Sequence, residues 1–160
     1  MALRSGDALM GAVKRAVTNA EADTEAIAAE FALQLQPGDV VHISGEVGAG
    51  KTTFVRGACR QLGVEGPVTS PSYTISNRYE ATSCQIAHLD CQRLEAQVDQ
   101  EGGLLDDALG PQTITFIEWP QTSAETVGLL ASVPPSFTVE ISHRDRRERE
   151  LTISNRLKAS

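Results

Sequence analysis

Gly45-Glu46-Val47-Gly48-Ala49-Gly50-Lys51-Thr52 satisfies the pattern G-x-x-x-x-G-K-[ST] at every specified position. Each specified residue answers a physical need. Glycines let successive main-chain N–H groups turn inward around phosphate oxygens, the Lys51 ammonium reaches the β and γ oxygens, and the Thr52 hydroxyl can ligate Mg²⁺. With Thr53 adjoining, Gly45, Glu46, Val47, Gly48, Ala49, Gly50, Lys51, Thr52 and Thr53 form a candidate nucleoside-triphosphate cradle. The flanking residues decide whether the pattern is more than a glycine-rich turn. Upstream, the turn Pro37-Gly38-Asp39 opens a short apolar run through Val40, Val41 and Ile43, as a buried parallel strand requires. Downstream, Phe54, Ala58 and Leu62 recur at helical spacing beside Val55 and Cys59, and Gly63 stands where a helix stops. Strand, loop and helix therefore follow in the order that places phosphate at a helix N-terminus. The expected fold is an α/β, P-loop NTPase-like, three-layer domain.

Further out, Lys14 to Thr18 reads as a first strand, and Asn19 as the N-cap of a helix carrying Ile27, Phe31 and Leu35 on one face. Thr74 to Tyr79 and Cys84 to Leu89 read as strands joined by a polar turn near Ala81-Thr82-Ser83, an antiparallel hairpin in an otherwise parallel sheet. The central sheet is therefore mixed. A helical stretch is expected from Glu95 to Gly110, broken at Gly102-Gly103, followed by an apolar strand from Ile114 to Ile117. Phe137, Val139 and Ile141, then Leu151 and Ile153, alternate with polar residues about a turn at His143 to Arg146, making a final hairpin. The length of 160 residues suits one domain, with residues 1–12 expected to be loosely held.

Composition narrows the function. With 41% hydrophobic residues the chain can bury a substantial core. A net charge of −7 argues against a surface that grips nucleic acid by its own field, since that needs Lys and Arg to displace counterions. Any contact with RNA is expected to be through partners. Three cysteines, Cys59, Cys84 and Cys91, with no C-x-x-C pair, suggest neither a disulfide framework nor a zinc site and fit a reducing, cytoplasmic setting. No apolar run approaches the roughly 18 to 20 residues that span a bilayer, so no membrane association is expected. His42, His88 and His143 lie along expected strands and are read as packing side chains. The run Arg144-Asp145-Arg146-Arg147-Glu148-Arg149-Glu150 sets four arginines against three acids and reads as a solvated hairpin, with an RNA-binding patch or lid as the alternative.

Hydrolysis or transfer needs an acid near Mg²⁺ and a group that orients the attacking oxygen. Asp90 and Glu118 each follow an apolar strand, at the edge where open α/β sheets gather their ligands. Such acids also serve as turn formers. Trp119, the only tryptophan, either stacks on a base or wedges a loop against the core. Thr69, Ser70 and Ser72 supply hydroxyls between the phosphate-loop helix and the hairpin, where switch segments sense a γ-phosphate and where ordinary turn chemistry also places such residues.

Four blocks together carry a resemblance. Gly45 to Thr53, Thr69-Ser70-Pro71-Ser72-Tyr73-Thr74, His88-Leu89-Asp90-Cys91-Gln92-Arg93-Leu94 and Ile117-Glu118-Trp119-Pro120 resemble, in order and spacing, the TsaE family, small ATPases of bacterial tRNA threonylcarbamoyladenosine biosynthesis. The likeness runs from about Asn19 to about Ile153. It implies ATP and Mg²⁺ as cofactors, with Lys51 on phosphates, Thr52 on the metal, Asp90 as a metal-associated or catalytic acid, Glu118 as a Walker-B-like acid and Thr69 to Ser72 as a switch loop. It also implies partner proteins, TsaD and TsaB, that bind tRNA and carry out the transfer. Two departures stand out: Gln92 replaces the family's usual tyrosine, and Glu46-Val47 replaces its usual Asp-Leu. The rival readings are a P-loop small-molecule kinase and a nucleotide-sensing module with negligible turnover. Guanine preference has no support, because no N-K-x-D sequence occurs.

Overall fold

Apolar runs bounded by turns become strands and the two described helices bury one stripe each, in a computed structural model that describes residues 13–46, 48–71, 76–90, 109–119 and 134–155. In chain order the elements are β1 (Val13–Thr18), α1 (Glu21–Ala32), β2 (Val40–Ser44), α2 (Lys51–Gln61), β3 (Ser76–Glu80), β4 (Gln85–Asp90), β5 (Thr113–Trp119), β6 (Phe137–His143) and β7 (Arg149–Asn155). The strands form one seven-stranded sheet in the order β1-β7-β6-β2-β5-β4-β3. β2 pairs in parallel with β5 and β6, and β4 with β5. The β3–β4, β6–β7 and β1–β7 pairs are antiparallel. The sheet is thus mixed, and both expected hairpins are present.

Both faces of the central strands are closed to solvent, as parallel sheets require. On one face Val41, Ile43, Ile86, Ile114, Phe116, Val139 and Ile141 join Ala28 and Phe31 of α1 and Phe54, Val55 and Ala58 of α2 in one apolar cluster. On the other face Ala87, Leu89, Thr115 and Ile117 are equally inaccessible, each at 0%. The helical stretch expected over 95–110 falls largely outside the described residues, as do residues 1–12. No helix among the described residues is long and apolar enough to cross a membrane.

The phosphate-loop helix is held at both ends. Its N-cap is Gly50 at φ 107°, a left-handed conformation costly for any residue with a Cβ. At its other end Val64 N–H donates to the Cys59 carbonyl and Gly63 N–H to that of Arg60, a Schellman closure that ends the helix where Gly63 was expected to end it. α2 packs on α1: Phe31 lies 5.5 Å from Phe54 between ring centroids, and Glu25 pairs with Arg60 at 2.9 Å and Arg56 at 3.5 Å.

The start of α1 corrects an expectation. The N-cap is Ala20, not Asn19, and it makes no side-chain capping bond. Asp23, in the first turn, accepts from the Asn19 main-chain N–H at 3.2 Å, which ties the residue ahead of the cap to the helix and leaves the first-turn N–H groups without a side-chain cap. Ile27 of the expected face is only partly buried, while Thr24, Ala28 and Phe31 form the buried stripe.

Candidate nucleotide-binding site

The parallel register brings the two expected acids together. Asp90 ends β4 and lies directly across from Glu118, the penultimate residue of β5. Both stand at the C-terminal edge of the sheet, beside the N-terminus of α2, where orphan N–H groups and the helix dipole favour anions. Thr52 Oγ1 donates to Glu118 Oε1 at 3.0 Å, linking the phosphate loop to β5 across 66 residues of sequence. Lys51 Nζ donates to the Gly45 carbonyl at 2.6 Å, folding back over its own loop. Burial lowers the Lys51 ammonium below the usual lysine value, and the negative charges of Glu118 and then Asp90 oppose that shift. Lys51, Thr52, Asp90 and Glu118 therefore share one site.

Gly45 is constrained from the far side. A Cβ there would stand 2.6 Å from the Ile141 carbonyl oxygen, so the loop leaves β2 pressed against the main chain of β6. Gly48, at φ 80°, leaves the loop's outer turn open. Val47 and Ser72 lie outside the described residues, as does the side chain of Trp119. Thr69 is held through its main chain: its N–H donates to Tyr79 Oη at 3.3 Å, and its carbonyl accepts from Asn77 Nδ2 at 3.0 Å. Ser70 follows it, half-buried. The hydroxyl-rich segment is thus anchored to β3 through Thr69, whose main-chain bonds run to Asn77 and Tyr79.

Two features are not legible in the sequence. His88 reads as a packing residue, but its Nε2 lies 2.9 Å from Glu118 Oε1, with the ring fully buried. The available signal was parity: His88 precedes Asp90 by two in a strand, which puts both on one face. His42 is buried in β2 and His143 is exposed at the end of β6. The second feature is a cavity of about 270 Å³ beside the loop. Its walls are the end of β1 and first turn of α1 (Thr18, Asn19, Ala20, Glu21, Thr24), the loop residues Gly48, Ala49, Gly50 and Thr53, and Arg146, Arg147 and Arg149 of the last hairpin. The hairpin turn is solvated, with Arg144 to Arg147 exposed, and three of its arginines also border the phosphate loop.

The donor set suits a hard divalent cation. A threonine hydroxyl and two carboxylates are oxygen ligands, which Mg²⁺ prefers over nitrogen or sulfur. Among the described residues no group of three His, Cys, Asp or Glu side chains could hold a metal alone. In nucleotide sites Mg²⁺ takes one or two protein oxygens and completes its shell with phosphates and water.

A phosphate loop between a buried parallel strand and a helix, with carboxylates at the ends of β4 and β5, defines a P-loop-like α/β protein. A family model described as "Threonylcarbamoyl adenosine biosynthesis protein TsaE" matches residues 18–151. The chain belongs to the TsaE family. It is 37% identical over 97 residues to the tRNA threonylcarbamoyladenosine biosynthesis protein TsaE of Bacillus subtilis strain 168, covering 61% of this chain and 60% of that protein. The namesake from Rickettsia conorii is 29% identical over 136 residues, 84% of this chain and 74% of its own length. The crystal structure of Bacillus subtilis YdiB superimposes with a TM-score of 0.71 at 28% identity, over 91% of this chain and 87% of that one.

Proposed function

We propose that this chain is a cytoplasmic, Mg²⁺-dependent ATP-binding protein and slow ATPase required for threonylcarbamoyladenosine modification of tRNA. It acts with partner proteins, TsaD and TsaB, that hold the tRNA and carry out the transfer. One observation carries the reading: Thr52 of the phosphate loop is hydrogen-bonded to Glu118, with Asp90 directly across the strand pair from that carboxylate. Main-chain N–H groups of residues 48–52 and the Lys51 ammonium bind phosphate oxygens, Lys51 exchanging its Gly45 carbonyl for them. Thr52 and Glu118 would hold the metal, with Asp90 beside them. When bound, Mg²⁺ supplies charge neutralisation on the β and γ oxygens. One of the two acids orients the attacking water. The cavity bordered by Arg146, Arg147 and Arg149 accommodates the rest of the nucleotide, so local cations offset the acidic chain. Thr69 and Ser70, with Ser72, form the switch segment.

The test is reconstitution. With partners, ATP and tRNA present, modification is expected to depend on this chain and to stop with Lys51→Ala. Modification at the full rate without the chain contradicts the reading. So does ADP formation that requires one particular metabolite, which would mark a kinase.

A further inference from the structure

A phosphate loop, a hydroxyl and two acids make a complete nucleotide site on paper, and none of them calls for a histidine. Yet His88 is fully buried against the acid that meets the loop. In the β4–β5 register it pairs with Phe116, which sets it diagonal to Glu118 on the face shared by Asp90. Nε2 is 2.9 Å from Glu118 Oε1, while Nδ1 has no hydrogen-bond partner among the described residues.

That asymmetry fixes the tautomer. A neutral imidazole carries one proton and one lone pair. With the proton on Nδ1, a buried N–H would go unpaired and the lone pair on Nε2 would face a carboxylate oxygen. With the proton on Nε2, the ring donates to Glu118 and only a lone pair is left unmatched, the cheaper deficit. Oε1 then accepts two bonds, from His88 Nε2–H and from Thr52 Oγ1–H at 3.0 Å. Two donors converging on one oxygen fix the plane of the carboxylate, and both spare Oε2.

We propose that His88 is a positioning residue: by gripping Oε1 of Glu118 from inside the sheet, it leaves Oε2 as the oxygen offered to the divalent cation or to a water bound to it. This deepens the nucleotide reading above and rests on it. Histidine suits the task because its ring spans from the β4 main chain to the neighbouring strand with little rotamer freedom, whereas a water or a serine would leave the carboxylate free to rotate. A merely structural histidine, by contrast, would affect folding and leave the metal requirement alone.

The experiment separates the two with the full-length protein, ATP as the nucleotide and Mn²⁺ as a paramagnetic probe. ATP affinity is measured in EDTA, and Mn²⁺ occupancy of the ATP-bound protein by electron paramagnetic resonance. His88→Leu is expected to bind ATP without metal within about twofold of the unmodified chain, but to need roughly 10- to 100-fold more Mn²⁺ for half-occupancy. His88→Gln, which keeps an N–H at a similar reach, recovers the Mn²⁺ requirement to within about threefold. Unchanged Mn²⁺ occupancy in His88→Leu overturns the proposal, as does a folded His88→Gln that is as impaired as the leucine variant. Should the leucine variant fail to fold, the ¹⁵N shifts of the His88 imidazole in the unmodified chain decide: a protonated Nε2 supports the assignment and a protonated Nδ1 refutes it. If the unmodified chain binds no ATP, the nucleotide reading falls as well. If it binds ATP and Mn²⁺ but ignores His88, only this inference falls.

Discussion

The two halves of the sheet solve different problems. β2, β5 and β4 run in parallel, are buried on both faces, and deliver Asp90, Glu118 and the phosphate loop to one edge. β6, β7 and β1 are joined by antiparallel pairs, and along β6 and β7 Val139, Ile141, Leu151 and Ile153 turn inward between more exposed neighbours. A strand buried on both faces has no room for a stray charge, so the acids of the parallel half sit only where strands end. The antiparallel half has a wet face and can carry a loop of arginines, three of which border the same site. One half sets its acids at fixed strand ends, and the other carries charge on an exposed turn that needs no such precision. The difference predicts that damage to the first is severe and localised, and that damage to the second is graded and sensitive to salt.

The largest effect is expected at the loop itself. Lys51→Ala or Thr52→Ala should abolish nucleotide-dependent tRNA modification and weaken Mg·ATP binding by about 100-fold or more, the scale of a lost charge-assisted contact. Next come the strand-end acids. Glu118→Ala and Asp90→Ala should each slow hydrolysis by roughly 100-fold while changing ATP affinity by much less, separable by titration and single-turnover kinetics. Equal losses in both quantities would instead make them ground-state binding groups. The seam between the halves is Gly45, which has no space for a Cβ against Ile141. Gly45→Ala should destabilise the fold by about 1 to 3 kcal/mol in denaturant melts, because two main chains must move apart.

Smaller still is the arginine wing. Arg147→Ala should reduce ATP affinity by only a few-fold, with the loss shrinking as ionic strength rises and the melting temperature unchanged. A salt-independent collapse of binding would mean that the antiparallel half, too, acts through fixed geometry. The least effect concerns Lys51 and pH. Its folded-state value is lowered by burial, so charging it opposes folding at neutral pH, and that cost is relieved only as pH rises through the lowered value. Lys51→Met should therefore leave thermal stability at pH 7 unchanged or slightly higher, with any gain fading in alkali.

Legibility in the sequence followed the same division. The β2-loop-α2 unit could be read residue by residue because each position answers a local need, down to the Gly63 closure that the Cys59 and Arg60 carbonyls complete. The hairpins, too, announced themselves through alternation. Relations set by the whole sheet were not legible. That β6 inserts between β2 and β7 depends on contacts such as Val40 N–H to Ser136 Oγ, 96 residues apart, and only that insertion carries the arginine hairpin to the loop. His88 was hidden for a similar reason: among Ile86, Ala87 and Leu89 it looks like filling, and its role exists only once β5 lies alongside. Asn19 misled through the opposite fault, a favoured capping residue that stands one position ahead of the cap, which is Ala20.

The most direct measurement is calorimetric titration of ATP into the purified chain with and without Mg²⁺, repeated on Lys51→Ala. Saturable binding at one site, strengthened by Mg²⁺ and lost in the variant, is expected. Absence of binding to the unmodified chain, or binding of equal strength in Lys51→Ala, would contradict it.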